Sequence, residues 1–133
     1  MEKIEHIGIA VKDLKQANET YGKLLGVQPY KTEIVNAENV ITSFFKIGES
    51  KVELLESTNP LGVVAKFLDK KGEGLHHVAY SVKNIYDEMK RLKTEGFVLL
   101  NDEPKYGADN KLVCFIHPKD TNGVLIELCQ EII

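Results

Sequence analysis

The sequence contains no tryptophan and only two cysteines, Cys114 and Cys129, at no metal-binding spacing. This excludes a cysteine-based zinc module and a disulfide scaffold, and predicts thiols that stay reduced. Positive charge is not in excess: 17 Lys and Arg stand against 20 Asp and Glu, a formal net charge of -3. No basic surface is therefore expected for a nucleic-acid backbone. No apolar run exceeds a few residues, so no membrane-spanning helix is expected. The opening stretch, MEKIEHIGIAV, is charged and then strand-like, without the apolar core of a secretion signal. The expectation is a cytoplasmic protein. What is present is an ordinary globular mixture, 43% hydrophobic and 28% charged, over 133 residues. That is the size of a single domain.

The chain repeats itself. Shifted by 71 positions, HIGIAVKDLKQANETYGKLLG from His6 lies over HVAYSVKNIYDEMKRLKTEGF from His77, and Phe44 lies over Phe115. Three extra residues in PKDTNG raise the offset to 74, and VELLE then falls over IELCQ, with Glu53 meeting Glu127. Each copy reads βαβββ. In the first, a strand over 4–11 precedes a helix over 14–25 capped by Asp13 and ended by Gly26. Strands follow near 28–35, 40–47 and 51–56. A linking helix near 59–71 has Pro60 in its first turn and ends at Gly72. The second copy runs as strand 75–82, Asn84 as cap, helix 85–95 closed by Gly96, then strands near 97–100, 111–117 and 124–130. Asn122-Gly123 reads as a tight turn. The expected fold is α+β: one domain with module 1 over about 1–57 and module 2 over about 75–133, and a mixed sheet curving around a cleft.

Strand alternation sorts the side chains. Ile7, Ile9 and Val11 face the helix, while His6, Gly8 and Ala10 share the other face. His77, Ala79 and Ser81 repeat that column. Glu53 and Glu127 point to the same inner face from the apolar middle of their strands. A carboxylate in an apolar strand is costly to bury without a partner. Two of them, symmetric with two histidines, point to one divalent ion held by His6, Glu53, His77 and Glu127. The mixed N/O set suits Co²⁺, Ni²⁺, Zn²⁺, Mn²⁺ or Fe²⁺ better than Ca²⁺. Taken singly, each histidine reads as a hydrogen-bonded strand residue and each glutamate as half of a surface ion pair; the recurrence across the repeat favours the metal. His76 faces away from His77 and reads as structural. His117, on the inner face with Val113 and Phe115, is a candidate pocket residue, and Cys129 a pocket wall.

The modules opened by HIGIAV and HHVAYSV and closed by VELLE and VLIEL resemble the vicinal oxygen chelate superfamily over nearly the whole chain. Within it, FLDKKGEGLHHVAYSV, NDEPKYGADN and FIHPKDTNGVLIEL are similar to the epimerases that act on 2-methylmalonyl-CoA. The resemblance implies two βαβββ modules cupped around one divalent metal, with His6, Glu53, His77 and Glu127 as ligands. It also implies a metal-dependent isomerase that removes the C2 proton to give a metal-chelated enediolate, with Glu127 as base and Glu53 as its partner. Thr42 occupies the strand position where some of these epimerases carry a second glutamate base. Thr42 and His117 are candidate substrate contacts, and Lys119 is a candidate for the anionic CoA tail. A homodimer is expected, with no nucleic-acid or membrane partner. The alternative is glyoxalase I, a lyase acting on the glutathione–methylglyoxal hemithioacetal with the same kind of ligand set; HPKD-x-x-GVLIEL favours the epimerase. A dioxygenase of the superfamily would use one carboxylate fewer, and a non-catalytic binding member would lack the full ligand set.

Overall fold

The computed structural model describes residues 1–133, which form two compact units. One comprises His6–His76; the other comprises His77–Ile133 together with Met1–Glu5. Each contains a β-α-β-β-β succession, as the repeat predicts.

In the first unit, β1 (Lys3–Ala10, from His6 onward) is followed by α1 (Leu14–Leu25), β2 (Lys31–Val35), β3 (Val40–Ile47) and β4 (Ser50–Ser57), in the sheet order β2-β3-β4-β1. β1 runs parallel to β4, with Gly8 beside Glu53 and Ala10 beside Leu55. Such a pairing needs a crossover, which α1 supplies. The β3–β4 hairpin closes on Gly48-Glu49, with Gly48 at φ 57° as the first turn residue, where glycine adopts the left-handed region without strain. The helix-facing side packs Val11, Leu14, Phe45, Val52 and Leu54 with Ile7, Ile9 and Tyr21.

The second unit contains β5 (Gly74–Ser81, from His77 onward), α3 (Ile85–Thr94), β6 (Lys105–Gly107), β7 (Lys111–Ile116) and β8 (Ile126–Glu131), in the order β5-β8-β7-β6. Its helix-facing core joins Val82, Ile85, Met89, Leu92, Cys114, Ile116 and Leu128.

The two copies match in their capping. Asp13 and Asn84 cap α1 and α3 with the same backbone angles, φ -134° and ψ 104°. The next amide in each case is taken by a side chain from the module's last strand, Leu14 N by Glu56 and Ile85 N by Gln130, at 2.8 and 2.7 Å. These bonds satisfy helix-end donors that have no intrahelical partner.

Strand ends shift by one to three residues from the sequence reading, β2 starting at Lys31 and β8 at Ile126, and two segments differ more. The linking helix α2 spans Val63–Lys71, so Pro60 lies before it and not in its first turn. Asn59 holds the preceding chain as a turn: its Oδ1 accepts from Leu61 N and its carbonyl from Gly62 N. Gly62 then passes so close to Asn39 that a Cβ would stand 2.9 Å from the Asn39 Cβ. The segment near 97–100 is not a strand but a single bridge, Leu99 to Ile116. Side chains take backbone groups that a ladder would pair: Asp120 accepts from Val98 N, and Asn101 from Phe115 N. The edge strand of the module is instead β6, whose Gly107 crosses Val113 so tightly that a Cβ would lie 2.8 Å from Val113 Cγ1. No helix is long and apolar enough to cross a membrane.

Candidate functional site

The expected site residues fall into two half-sites, one in each unit. In the first, His6 on β1 and Glu53 on β4 are 4% and 5% exposed, and His6 Nδ1 lies 3.1 Å from Glu53 Oε2. Gly8, directly beside Glu53, adds no side chain to that face. Phe44 is opposite Glu53 on β3, and Lys31 is opposite Phe44 on β2, with its Nζ 5.1 Å from the ring centroid. One row further along the same face come Leu55, Thr42 and Glu33. Thr42 is buried and its Oγ1 has no hydrogen-bond partner.

In the second unit, His77 on β5 and Glu127 on β8 are likewise buried, and His77 Nε2 lies 3.4 Å from Glu127 Oε1. Ala79 is beside Glu127 and Phe115 is opposite it. His77 meets Phe115 edge-on at 6.2 Å, and Lys105 Nζ stands 5.6 Å from the Phe115 ring. Ala79, Val113 and Cys129 pack together with Phe115, and the Cys129 thiol donates to the Tyr80 carbonyl at 3.5 Å.

A His–Glu pair buried beside an aromatic ring with a lysine over it therefore occurs once in each module. Sequence reading anticipated the histidines and glutamates and aligned Phe44 with Phe115, but missed Lys31, Glu33 and Lys105. Lys105 was hidden by placing the edge strand too early. Strand alternation alone would have put Glu33 on the inner face.

Other expected residues are placed as follows. His117 caps the short turn Pro118–Asp120, its Nδ1 accepting from Lys119 N at 3.1 Å. That leaves Nε2 as the imidazole edge available to a ligand. Lys119 is exposed at the same turn. Asn122 and Gly123 both have positive φ, and Gly123 N donates to Pro118 O, the predicted tight turn. His76 packs edge-on against Phe67 at 5.0 Å; burial pushes its pKa below the ordinary histidine value, with Glu38 opposing the shift. Cys114 sits in the helix-side core, and burial raises its thiol to about 11. It stays protonated and unreactive at neutral pH.

The donor chemistry fits a divalent ion. Each half-site offers one imidazole and one carboxylate that are screened from water, and a buried carboxylate is stabilised by a cation. Nitrogen and oxygen donors together match first-row divalent metals.

The model of the Glyoxalase/Bleomycin resistance protein/Dioxygenase superfamily matches residues 5–115, and the chain belongs to that superfamily. Mouse mitochondrial methylmalonyl-CoA epimerase is 38% identical over 129 residues, 96% of this chain and 72% of the mouse protein. The ethylmalonyl-CoA/methylmalonyl-CoA epimerase of Cereibacter sphaeroides is 38% identical over 130 residues, 96% of this chain and 97% of its own length. Among solved structures, a variant of Streptomyces coelicolor methylmalonyl-CoA epimerase in complex with 2-nitronate-propionyl-CoA superposes with a TM-score of 0.96 at 34% identity. That match covers 100% of this chain and 99% of the other.

Proposed function

We propose that this chain is an isomerase that epimerises 2-methylmalonyl-CoA at C2. The observation that carries the reading is the repeated buried His–Glu pair, in a chain whose relatives at 38% identity are methylmalonyl-CoA epimerases. His6, Glu53, His77 and Glu127 are the proposed ligands of a single divalent ion; the repeat symmetry and matching donor sets support sharing. When bound, such an ion supplies Lewis-acid stabilisation of negative charge developing on a carbonyl oxygen.

The protein's own groups do the rest. Glu127 accepts the C2 proton, the C–H electron pair moves onto the thioester oxygen, and a proton returned to the opposite face gives the other epimer. Glu53 is its counterpart in the repeat, as ligand and as second candidate for acid–base work. Small residues beside the glutamates, Gly8 and Ala79, leave room for the acyl group. Thr42 and His117 are proposed substrate contacts, His117 through Nε2, and exposed Lys119 is proposed for the anionic CoA tail.

Glyoxalase I is the second reading, because its chemistry can use the same donors. Proton NMR in D₂O separates them. The Co²⁺-loaded protein should replace the C2 hydrogen of methylmalonyl-CoA with deuterium and form little lactoylglutathione from the hemithioacetal. Rapid lactoylglutathione formation without C2 exchange would reverse the assignment. A cytoplasmic homodimer completes the proposal, and light scattering at the working concentration tests the dimer.

A further inference from the structure

One buried cation of the second unit has no part in the chemistry described. Lys111 opens β7 and is only 7% exposed. Its ammonium group forms no ion pair and no hydrogen bond. Glu131 is directly opposite on β8 and exposed, yet the two do not pair. Opposite charges placed so ordinarily attract each other across the ladder, and lysines are almost never buried unless paired. Strand alternation puts Lys111 on the face of Val113 and Phe115. Gly107, its neighbour on β6, has no side chain to cover it. Lys105 is opposite Val113 and therefore diagonal to Lys111, about 7 Å away between Cβ atoms. Two lysines thus flank Val113, which packs with Ala79, Cys129 and Phe115. Ala79 in turn is beside Glu127. This face of the unit has an apolar floor, a carboxylate at one end and two cations at the other. Like charges side by side repel, and an anion held between them removes the repulsion.

We infer that Lys111, with Lys105 beside it, binds the free carboxylate of the acyl group and so selects thioesters that carry a carboxylate on C2. This rests on the epimerase reading. Val113 lies two residues, about 7 Å, along β7 from Phe115, the residue opposite Glu127. When C2 stands at Glu127, its carboxylate is one bond away and reaches toward Val113, between the lysines. The CoA phosphates are many bonds further off. The carboxylate accepts hydrogen bonds from both ammonium groups, the strong charge-assisted kind. Fixing that substituent orients C2, so that its hydrogen meets Glu127. The lysines bind and orient; they transfer no proton.

The test compares methylmalonyl-CoA with propionyl-CoA, which lacks only the carboxylate. Titration calorimetry on the Co²⁺-loaded wild type, Lys111→Met and Lys105→Met gives both dissociation constants. C2 hydrogen exchange in D₂O and the urea midpoint in EDTA are measured beside them. Lys111→Met should weaken methylmalonyl-CoA binding by about 10-fold or more, the worth of a hydrogen bond to a charged group. Its affinity for propionyl-CoA should stay within about threefold of wild type. Lys105→Met, at a half-buried position, should shift the same ratio in the same direction. The urea midpoint of Lys111→Met should equal or exceed that of wild type, because no partner is lost and an unpaired buried charge is removed. Equal weakening of both ligands would assign Lys111 to the CoA portion and overturn the inference. So would unchanged affinity for both, which would make the lysine stem simple packing, and so would a lowered midpoint, which would show a structural contact. A wild type that prefers methylmalonyl-CoA through Lys111 yet exchanges no C2 hydrogen would leave the carboxylate site standing and defeat the epimerase reading alone.

Discussion

The His6–Glu53 pair makes a quantitative demand on the metal-free protein. Replacing His6 with leucine leaves the Glu53 carboxylate, 5% exposed, without the imidazole now 3.1 Å away. Removing one partner of a buried pair costs about 3–5 kcal/mol, whereas replacing both with apolar residues of similar volume is often neutral or stabilising. In EDTA, His6→Leu should therefore lose about 3 kcal/mol, and His6→Leu/Glu53→Leu should lie within about 1 kcal/mol of wild type. With an m-value of about 1.5 kcal/mol/M, the single variant's urea midpoint falls by about 2 M. The chain has no tryptophan, so far-UV circular dichroism is the suitable probe. Adding metal at about 100 times its dissociation constant should raise wild-type stability by about 2.7 kcal/mol and leave both variants unmoved. Single and double variants that lose the same amount, within about 0.5 kcal/mol, would refute the idea that the imidazole compensates the carboxylate.

Glu127→Gln should lose turnover by about 100-fold or more while retaining most of its metal, since an amide oxygen still ligates but accepts no proton; elemental analysis beside the exchange assay checks this. Cys114 has a thiol pushed up to about 11 from 9.0. Above pH 9 the unfolded state therefore loses this proton first, and stability falls as pH rises toward 11. Cys114→Val should remove that part of the slope, roughly 1 kcal/mol at about pH 10, read as the difference between two urea series. Gly107→Ala places a methyl 2.8 Å from Val113 Cγ1 and should lower stability by about 1–3 kcal/mol through overpacking, with Gly107→Ala/Val113→Ala recovering part of the loss.

Most of the architecture was legible because the chain states it twice. The alignment of His6 with His77 also aligned Asp13 with Asn84, and those two residues cap their helices with the same geometry. The inner-face glutamates were legible because a charge inside VELLE or LIELC is conspicuous against apolar neighbours. What escaped depended on side chains competing for backbone. Nothing in FVLL reveals that Asp120 takes the Val98 amide and Asn101 the Phe115 amide, which limits the segment to a single bridge against Ile116. Once that strand was misplaced, Lys105 lost its likeness to Lys31. Pro60 suits a first helical turn, and only the Asn59 turn and the close pass of Gly62 by Asn39 delay the helix. Thr42 was visible as a departure from the family pattern, but its missing hydrogen bond and its opposition to Glu33 are properties of the folded ladder.

The outermost strands carry a further consequence for association. β2 and β6 each pair on one side only within their units, β2 with β3 and β6 with β7. An unpaired edge is a template for another chain, and charged residues, prolines and short length are the usual deterrents. β6 is three residues long, opens on Lys105 and follows Pro104; β2 follows Pro29 and carries Lys31 and Glu33. The lysines over the phenylalanines and the carboxylate opposite Thr42 therefore also guard the sheet against self-templating. Neutralising them together would leave two bare edges.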